Sequence, residues 1–279
     1  MIADNVRRAL ETEGPVLDSD MPAILSAVGW RRLMAVGIDQ AGYSTARALA
    51  GDPAPRRIVT TLVPIQGPGE PILVEAFAGS IPQRYAELGI REARLPPDRL
   101  RDALAAGLAE LAASPAAAAT VAALVRSLHP LMTADPAYDV SYSDPEVPFS
   151  VFVGIHDAPV KHEGLRVAEA LVHEAMHLQL SLAEDVVPLV AGEEERWSSP
   201  WQRRPRPAQG VLHGLYVFRA VEELLCAVPA SADPSRTEYL RRRLEAIDAE
   251  TAEAAAVAAS GELTPTGRAL ARRLASRAH

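Results

Sequence analysis

A chain of 279 residues, 48% of them hydrophobic, is long enough to bury a sizeable core, and its net charge of -8 argues against nucleic acid held by a general positive field. A single cysteine, Cys226, excludes an intramolecular disulfide and points to a reducing compartment, where it is expected to be a small buried hydrophobe. The opening stretch MIADNVRRALETEG lacks an apolar signal core, and the longest alanine-rich run, Pro115 to Val125, is too short to span a bilayer, so a cytoplasmic protein with no membrane partner is expected.

Residues 1 to 50 carry Val6, Leu10, Ile24, Leu25 and Val28 at helical spacing, with Asp20 as an N-cap and Pro22 in the first turn. From Arg57 the texture becomes β-branched: IVTTLVPI and ILVEAF, separated by QGPGEP, predict a two-stranded hairpin. Pro97 to Leu128 is rich in alanine and leucine and is interrupted at Ser114-Pro115, which predicts two successive helices with His129 as a residue at the helix end. After the polar loop TADPAYDVSYSDPE, the run VPFSVFVGI reads as a buried strand. It should lie beneath the helix that follows, while His162 in the connection reads as a cap or surface group.

That helix, Leu165 to Leu180, contains His173, Glu174 and His177 in an HExxH arrangement. A helix turns about 100° per residue, so His173 and His177 share one face and can grip one ion. Ala168, Leu171, Val172, Ala175 and Met176 surround them with apolar side chains, which favours a buried, shaped site over a polar surface stripe. A metal centre needs a third ligand, and its identity decides the chemistry. Extension to HExxHxxGxxH fails, because Leu180 and Ala183 stand where glycine and histidine are required. A downstream glutamate, from Glu193 to Glu195 or from Glu222 and Glu223, is one option. The other is His213, with Gly214 allowing close backbone approach.

Beyond the helix lies a Pro- and Arg-rich loop containing Trp197 and Trp201, which could wall a cleft or simply be buried against the core. VLHGLYVFRAVEELL then resumes helical periodicity. Pro234 to Ser260 reads as a long charged helix with Arg241 to Arg243 on a solvated face, and Thr264 and Pro265 cap a final helix. The expected fold is mainly α with a small β component (α+β), a single domain over residues 1–279. Residues 1–130 would form its scaffold half and residues 140–275 the half that carries the metal site.

LVHEAMHLQLSLAEDVVPLV followed by PWQRRPRPAQGVLHGLYVFRAVEEL, with VPFSVFVGI before and ELTPTGRAL near the end, resembles the HExxH-motif peptide-modification proteins of bacterial ribosomal-peptide clusters. These are iron- and 2-oxoglutarate-dependent peptide β-hydroxylases. The resemblance covers residues 140 to 275; Pro205 stands where the family usually has an acid, and the family varies at the position of His213. It implies that His173, His177 and His213 hold Fe(II), leaving positions open for 2-oxoglutarate and dioxygen. It further implies an arginine for the distal carboxylate of 2-oxoglutarate, Arg206 first and Arg219 second, and a ribosomally synthesised precursor peptide as partner. Glu174 would then contact substrate or ligand. The HExxH pattern alone favours another reading, a zinc metallopeptidase with Glu174 as general base. A non-catalytic peptide-binding module is the third.

Overall fold

The computed structural model describes residues 1–17, 20–38, 40, 43–48, 61–63, 72–77, 81–86, 88–133 and 140–276. Helices dominate, and among the described residues a five-stranded sheet and a two-stranded hairpin accompany them. In chain order come α1 (Ile2–Glu11), α2 (Met21–Ala35), the short α3 (Thr45–Ala48), β1 (Thr61–Val63), β2 (Ile72–Val74) and α4 (Ile81–Ala86). They are followed by α5 (Pro97–Leu111), α6 (Pro115–Leu124), β3 (Ser127–Leu131), β4 (Ser141–Ser143), β5 (Ser150–Gly154) and α7 (Glu163–Glu184). The last third holds β6 (Trp197–Ser199), β7 (Arg204–Arg206), α8 (Ala208–Ala227), α9 (Pro234–Ala254), a 3-10 turn (Ala255–Ala259) and α10 (Pro265–Ala275). The chain is therefore mainly α with a small β component, as its periodicities predict. Among the described residues no helix is long and apolar enough to cross a membrane.

The sheet has the order β1-β2-β3-β5-β4. Its two outer pairs are antiparallel, and β3 lies parallel to both β2 and β5. The turn of the expected hairpin, 64–71, lies outside the described residues, but its two strands do pair antiparallel. Two helices do span Pro97 to Leu124, broken at Ser114, whose hydroxyl caps α6 by accepting from the Ala117 amide.

The chain then turns to strand earlier than expected, and His129 is not at a helix end. It lies in β3 with no exposure, although Pro130 follows it. A proline is tolerated there because β2 pairs only as far as Leu128, so no ladder acceptor on that side requires an N–H at Pro130. The His129 ring stacks on Phe152 at 4.6 Å, and its Nε2 lies 2.7 Å from the Thr45 hydroxyl. Thr45 in turn contacts Ser127, Ser150 and, through its amide, Glu75, forming a buried polar knot between α3 and the sheet. Burial pushes His129 down to about 3 and the Glu75 carboxyl up from its ordinary value.

α7 is the central element: it packs on α5, α6, α8 and α2 and on the face of β4 and β5. Alanine and leucine on almost every side let it be buried nearly all round, as a helix in the middle of a bundle must be. Gly107 of α5 allows a close approach, since a Cβ there would stand 2.4 Å from Val167 Cγ1. At its start, His162 takes the N-cap position with φ of 58° but makes no side-chain cap bond; its ring packs against Tyr239. At the far end of the chain Thr264 does cap α10, accepting from the Gly267 amide, with Pro265 in the first turn. Arg241 and Arg242 pair with Glu238 on a solvated face, whereas Arg243 turns inward to Glu169 and over the Phe218 ring. Cys226 is exposed, not buried, near the end of α8.

Candidate metal centre

A cleft of about 650 Å³ opens between α7, the start of α8, β4 and the β6-β7 hairpin. His173, Glu174 and His177 line it from α7, and His213 lines it from α8. The two motif histidines are one turn apart, with ring centroids separated by 4.8 Å. His213 approaches from the other side: its Nδ1 is 3.5 Å from the Nδ1 of His177, with the rings nearly parallel. The sequence could propose His213 only as one option among several; folding brings it to the pair. Glu222 and Glu223 are engaged elsewhere, Glu222 with Arg219 and Glu223 with the amides of Val16 and Leu17, and none of Glu193 to Glu195 lines the cleft.

Both motif histidines are held neutral. Burial pushes His173 down to about 4, with the nearby Arg243 charge adding to the effect. Burial also drives His177 well below its usual value, helped by the positive potential of His173, His213 and Arg206. A neutral imidazole keeps the lone pair that a metal requires, so loading costs little proton release here. Glu174 behaves in the opposite sense. Its burial raises the carboxyl to about 7, against the Ser141 and Ser143 hydroxyls that favour the charged form. Ser143 donates to Glu174 Oε2 at 2.6 Å, and Oε1 lies 3.9 Å from His173 Nε2.

The Trp-containing loop is better ordered than its composition suggests: Trp197 to Ser199 and Arg204 to Arg206 pair as an antiparallel hairpin. Arg203, at φ of 50°, turns the chain and donates its amide to Ser199. Trp201, on the tip, stacks on Phe218 at 4.9 Å and 9°, and Phe218 meets the His173 ring edge-on at 5.0 Å. Trp201 therefore walls the cleft. Trp197 does not; its indole donates to Glu195 outside it.

Arg206, on β7, lines the cleft, and no carboxylate among the described residues pairs with it. Arg219 does not serve as an alternative. It is 3% exposed, donates to the Leu274 carbonyl and the Glu222 carboxylate, and is absent from the cleft wall. Residues six apart on α8 differ by about 600°, or 240° after one full turn, so Arg219 faces away from His213.

One cleft residue was passed over in the sequence: Glu184, whose Oε2 lies 2.9 Å from His213 Nε2. Its signal was present. Seven residues past His177 is two helical turns, which returns Glu184 to the same face.

As arranged, no group of three or more His, Cys, Asp or Glu side chains among the described residues is set to hold a metal ion. The donor chemistry nevertheless fits one. Two nitrogens bound to one ion at about 2.1 Å lie roughly 3.0 to 3.4 Å apart, depending on the angle. The 3.5 Å between His177 and His213 is close to that separation. His173 lines the same cleft and is 23% exposed, which leaves its ring room to turn about its side-chain bonds. No protein-family model matches the chain, and no curated protein is significantly similar to it.

Proposed function

We propose that the protein is an Fe(II)- and 2-oxoglutarate-dependent hydroxylase that acts on a side chain of a ribosomally synthesised precursor peptide in the cytoplasm, within one domain. The observation that carries this reading is the meeting in one cleft of the motif histidines His173 and His177, both shifted toward the neutral form, with His213 and with the Arg206 guanidinium, which pairs with no carboxylate among the described residues. The resemblance of residues 140 to 275 to HExxH-motif peptide-modification proteins supplies the reaction class. His173, His177 and His213 would hold the iron. When bound, iron couples the oxidative decarboxylation of 2-oxoglutarate by dioxygen to hydroxylation of a C–H bond, giving succinate and carbon dioxide.

The chain itself contributes binding and exclusion. Arg206 offers the planar fork that matches the distal carboxylate of 2-oxoglutarate, and it lines the same cleft as the three histidines. Trp201 and Phe218 form an apolar wall that keeps water from the histidines on that side. Glu174, anchored by Ser143, gives the peptide or a bound water an acceptor beside His173.

A second reading, a zinc metallopeptidase, is favoured by one observation: Glu174 lines the cleft with its carboxyl raised to about 7, a value suited to taking and giving a proton near neutrality. The two readings separate in one assay. Anaerobically purified protein is given Fe(II), 2-oxoglutarate, oxygen and the precursor peptide encoded beside its gene. The oxygenase reading expects succinate in step with peptide heavier by one oxygen atom; peptide cleavage with zinc alone, independent of 2-oxoglutarate, refutes it.

A further inference from the structure

We infer that Glu184 is a positioning residue for His213, holding its ring so that Nδ1, not Nε2, is the nitrogen offered to the metal. The inference rests on the metal centre proposed above and names a member of it that neither the HExxH pattern nor the ligand count identifies.

Three observations carry it. First, the two nitrogens of His213 have different neighbours: Nδ1 faces His177 Nδ1 at 3.5 Å, and Nε2 faces Glu184 Oε2 at 2.9 Å. A carboxylate only accepts, so Nε2 must carry the hydrogen, and the neutral ring then has its lone pair on Nδ1, pointing at the motif histidines. A histidine ligand commonly donates its other N–H to a carboxylate in this way, which fixes both tautomer and ring angle.

Second, Glu184 is badly placed for its own helix. It is the last residue of α7, where the helix dipole is negative, and a carboxylate is disfavoured there. The first turns of α8 compensate: Gln209 Nε2 donates to the same Oε2 at 2.9 Å, and Gln209 and His213 lie one turn apart on the α8 face that meets α7. The carboxylate therefore serves α8, not α7.

Third, its other oxygen, Oε1, is buried without a hydrogen-bond partner among the described residues. A buried, half-satisfied carboxylate costs stability, and it persists where another task requires it.

Glu184 is not itself a companion ligand to His177. Seven residues separate their Cα atoms by about 10.5 Å along the axis, and the His213 ring fills the space between their side chains.

The test uses the full-length apoprotein and Co(II), with affinity measured by competition against a chromophoric chelator and the Co(II) d–d spectrum as second readout. Glu184→Ala is expected to weaken Co(II) binding about 10- to 100-fold. Glu184→Gln, which keeps an acceptor oxygen, should lose less, and it carries the test should the alanine variant fail to fold. On a His213→Ala background, Glu184→Ala should cost nothing further, because Glu184 acts only through that ring. Unchanged affinity in both Glu184 variants overturns the assignment and leaves the metal centre standing. Losses that multiply in the double variant also overturn it, showing that Glu184 acts independently of His213. Wild-type protein that binds neither Co(II), Fe(II) nor Zn(II) overturns the metal centre and this assignment together.

Discussion

Gly214→Ala sets two opposing effects against each other, and their magnitudes decide the sign. In a helix interior alanine is better than glycine by about 1 kcal/mol, so propensity alone says the variant is stabilised. The geometry says otherwise. A Cβ at Gly214 would lie 2.3 and 2.5 Å from two atoms of the Trp201 six-membered ring and 3.1 Å from a third, far inside normal contact. The indole has no easy retreat: one face is stacked on Phe218, and Nε1 donates to Glu250 at 3.1 Å. Overpacking of this kind costs about 1–3 kcal/mol, and losing the aromatic stack adds about 0.5–1.5 kcal/mol. The expected net is a loss of about 0.5–3.5 kcal/mol of unfolding free energy, measured by urea denaturation with an unchanged slope. Trp201→Leu should relieve the clash, so the double variant is expected to be more stable than the sum of the single losses. A Gly214→Ala protein stabilised by the propensity value would refute the packing of the hairpin against α8.

Other perturbations test other parts of the molecule. Arg206→Ala should weaken 2-oxoglutarate binding by about 1.5–3 kcal/mol, the usual worth of a charge-assisted bond, while leaving Co(II) affinity intact. Arg219→Ala should instead cost about 3–5 kcal/mol of stability by breaking the buried ion pair with Glu222, with no effect on 2-oxoglutarate affinity in the folded protein; equal effects of the two variants on calorimetric 2-oxoglutarate titrations would contradict this division. His129 is held at about 3 against an ordinary value of 6.5, so between those values the unfolded chain binds the extra proton and stability falls as pH falls. The slope is at most about 1.4 kcal/mol per pH unit for this one group. Glu75, raised and packed against it, has the opposite sign above its ordinary carboxyl value. His129→Gln should flatten the acid limb of a stability-against-pH series, and identical limbs would show that the polar knot does not titrate as described. Cys226, exposed but with its thiol pushed up by partial burial and then by Glu222, should react with a thiol reagent in the native state, more slowly than a free thiol; no reaction before unfolding would contradict its placement.

Much of the centre was legible because it is local. His173 and His177 need only helical periodicity, the strand VPFSVFVGI only its β-branched run, and the α10 cap only Thr264 and Pro265. What escaped depends on long-range pairing. His129 looked like a helix terminus because Pro130 follows it, and only the short reach of β2 makes that proline harmless in a strand. The hairpin carrying Trp201 has three-residue strands and a proline in one of them, too little periodicity to detect. Arg206 and Arg219 are separated by their places in the fold: Arg206 lines the cleft, whereas Arg219 is buried against Glu222 and Leu274. Glu184 was readable from the helical repeat, but its meaning required knowing that α8 returns beside the end of α7.

Anomalous diffraction from crystals grown anaerobically with Fe(II), collected at the iron edge, tests the metal centre most directly. A single peak is expected in the cleft, at about 2.0–2.2 Å from a nitrogen of each of His173 and His177 and from Nδ1 of His213, with Glu184 still on Nε2. A peak bound by His173 and His177 but more than about 4 Å from every His213 nitrogen, or no peak in the cleft at all, would contradict it.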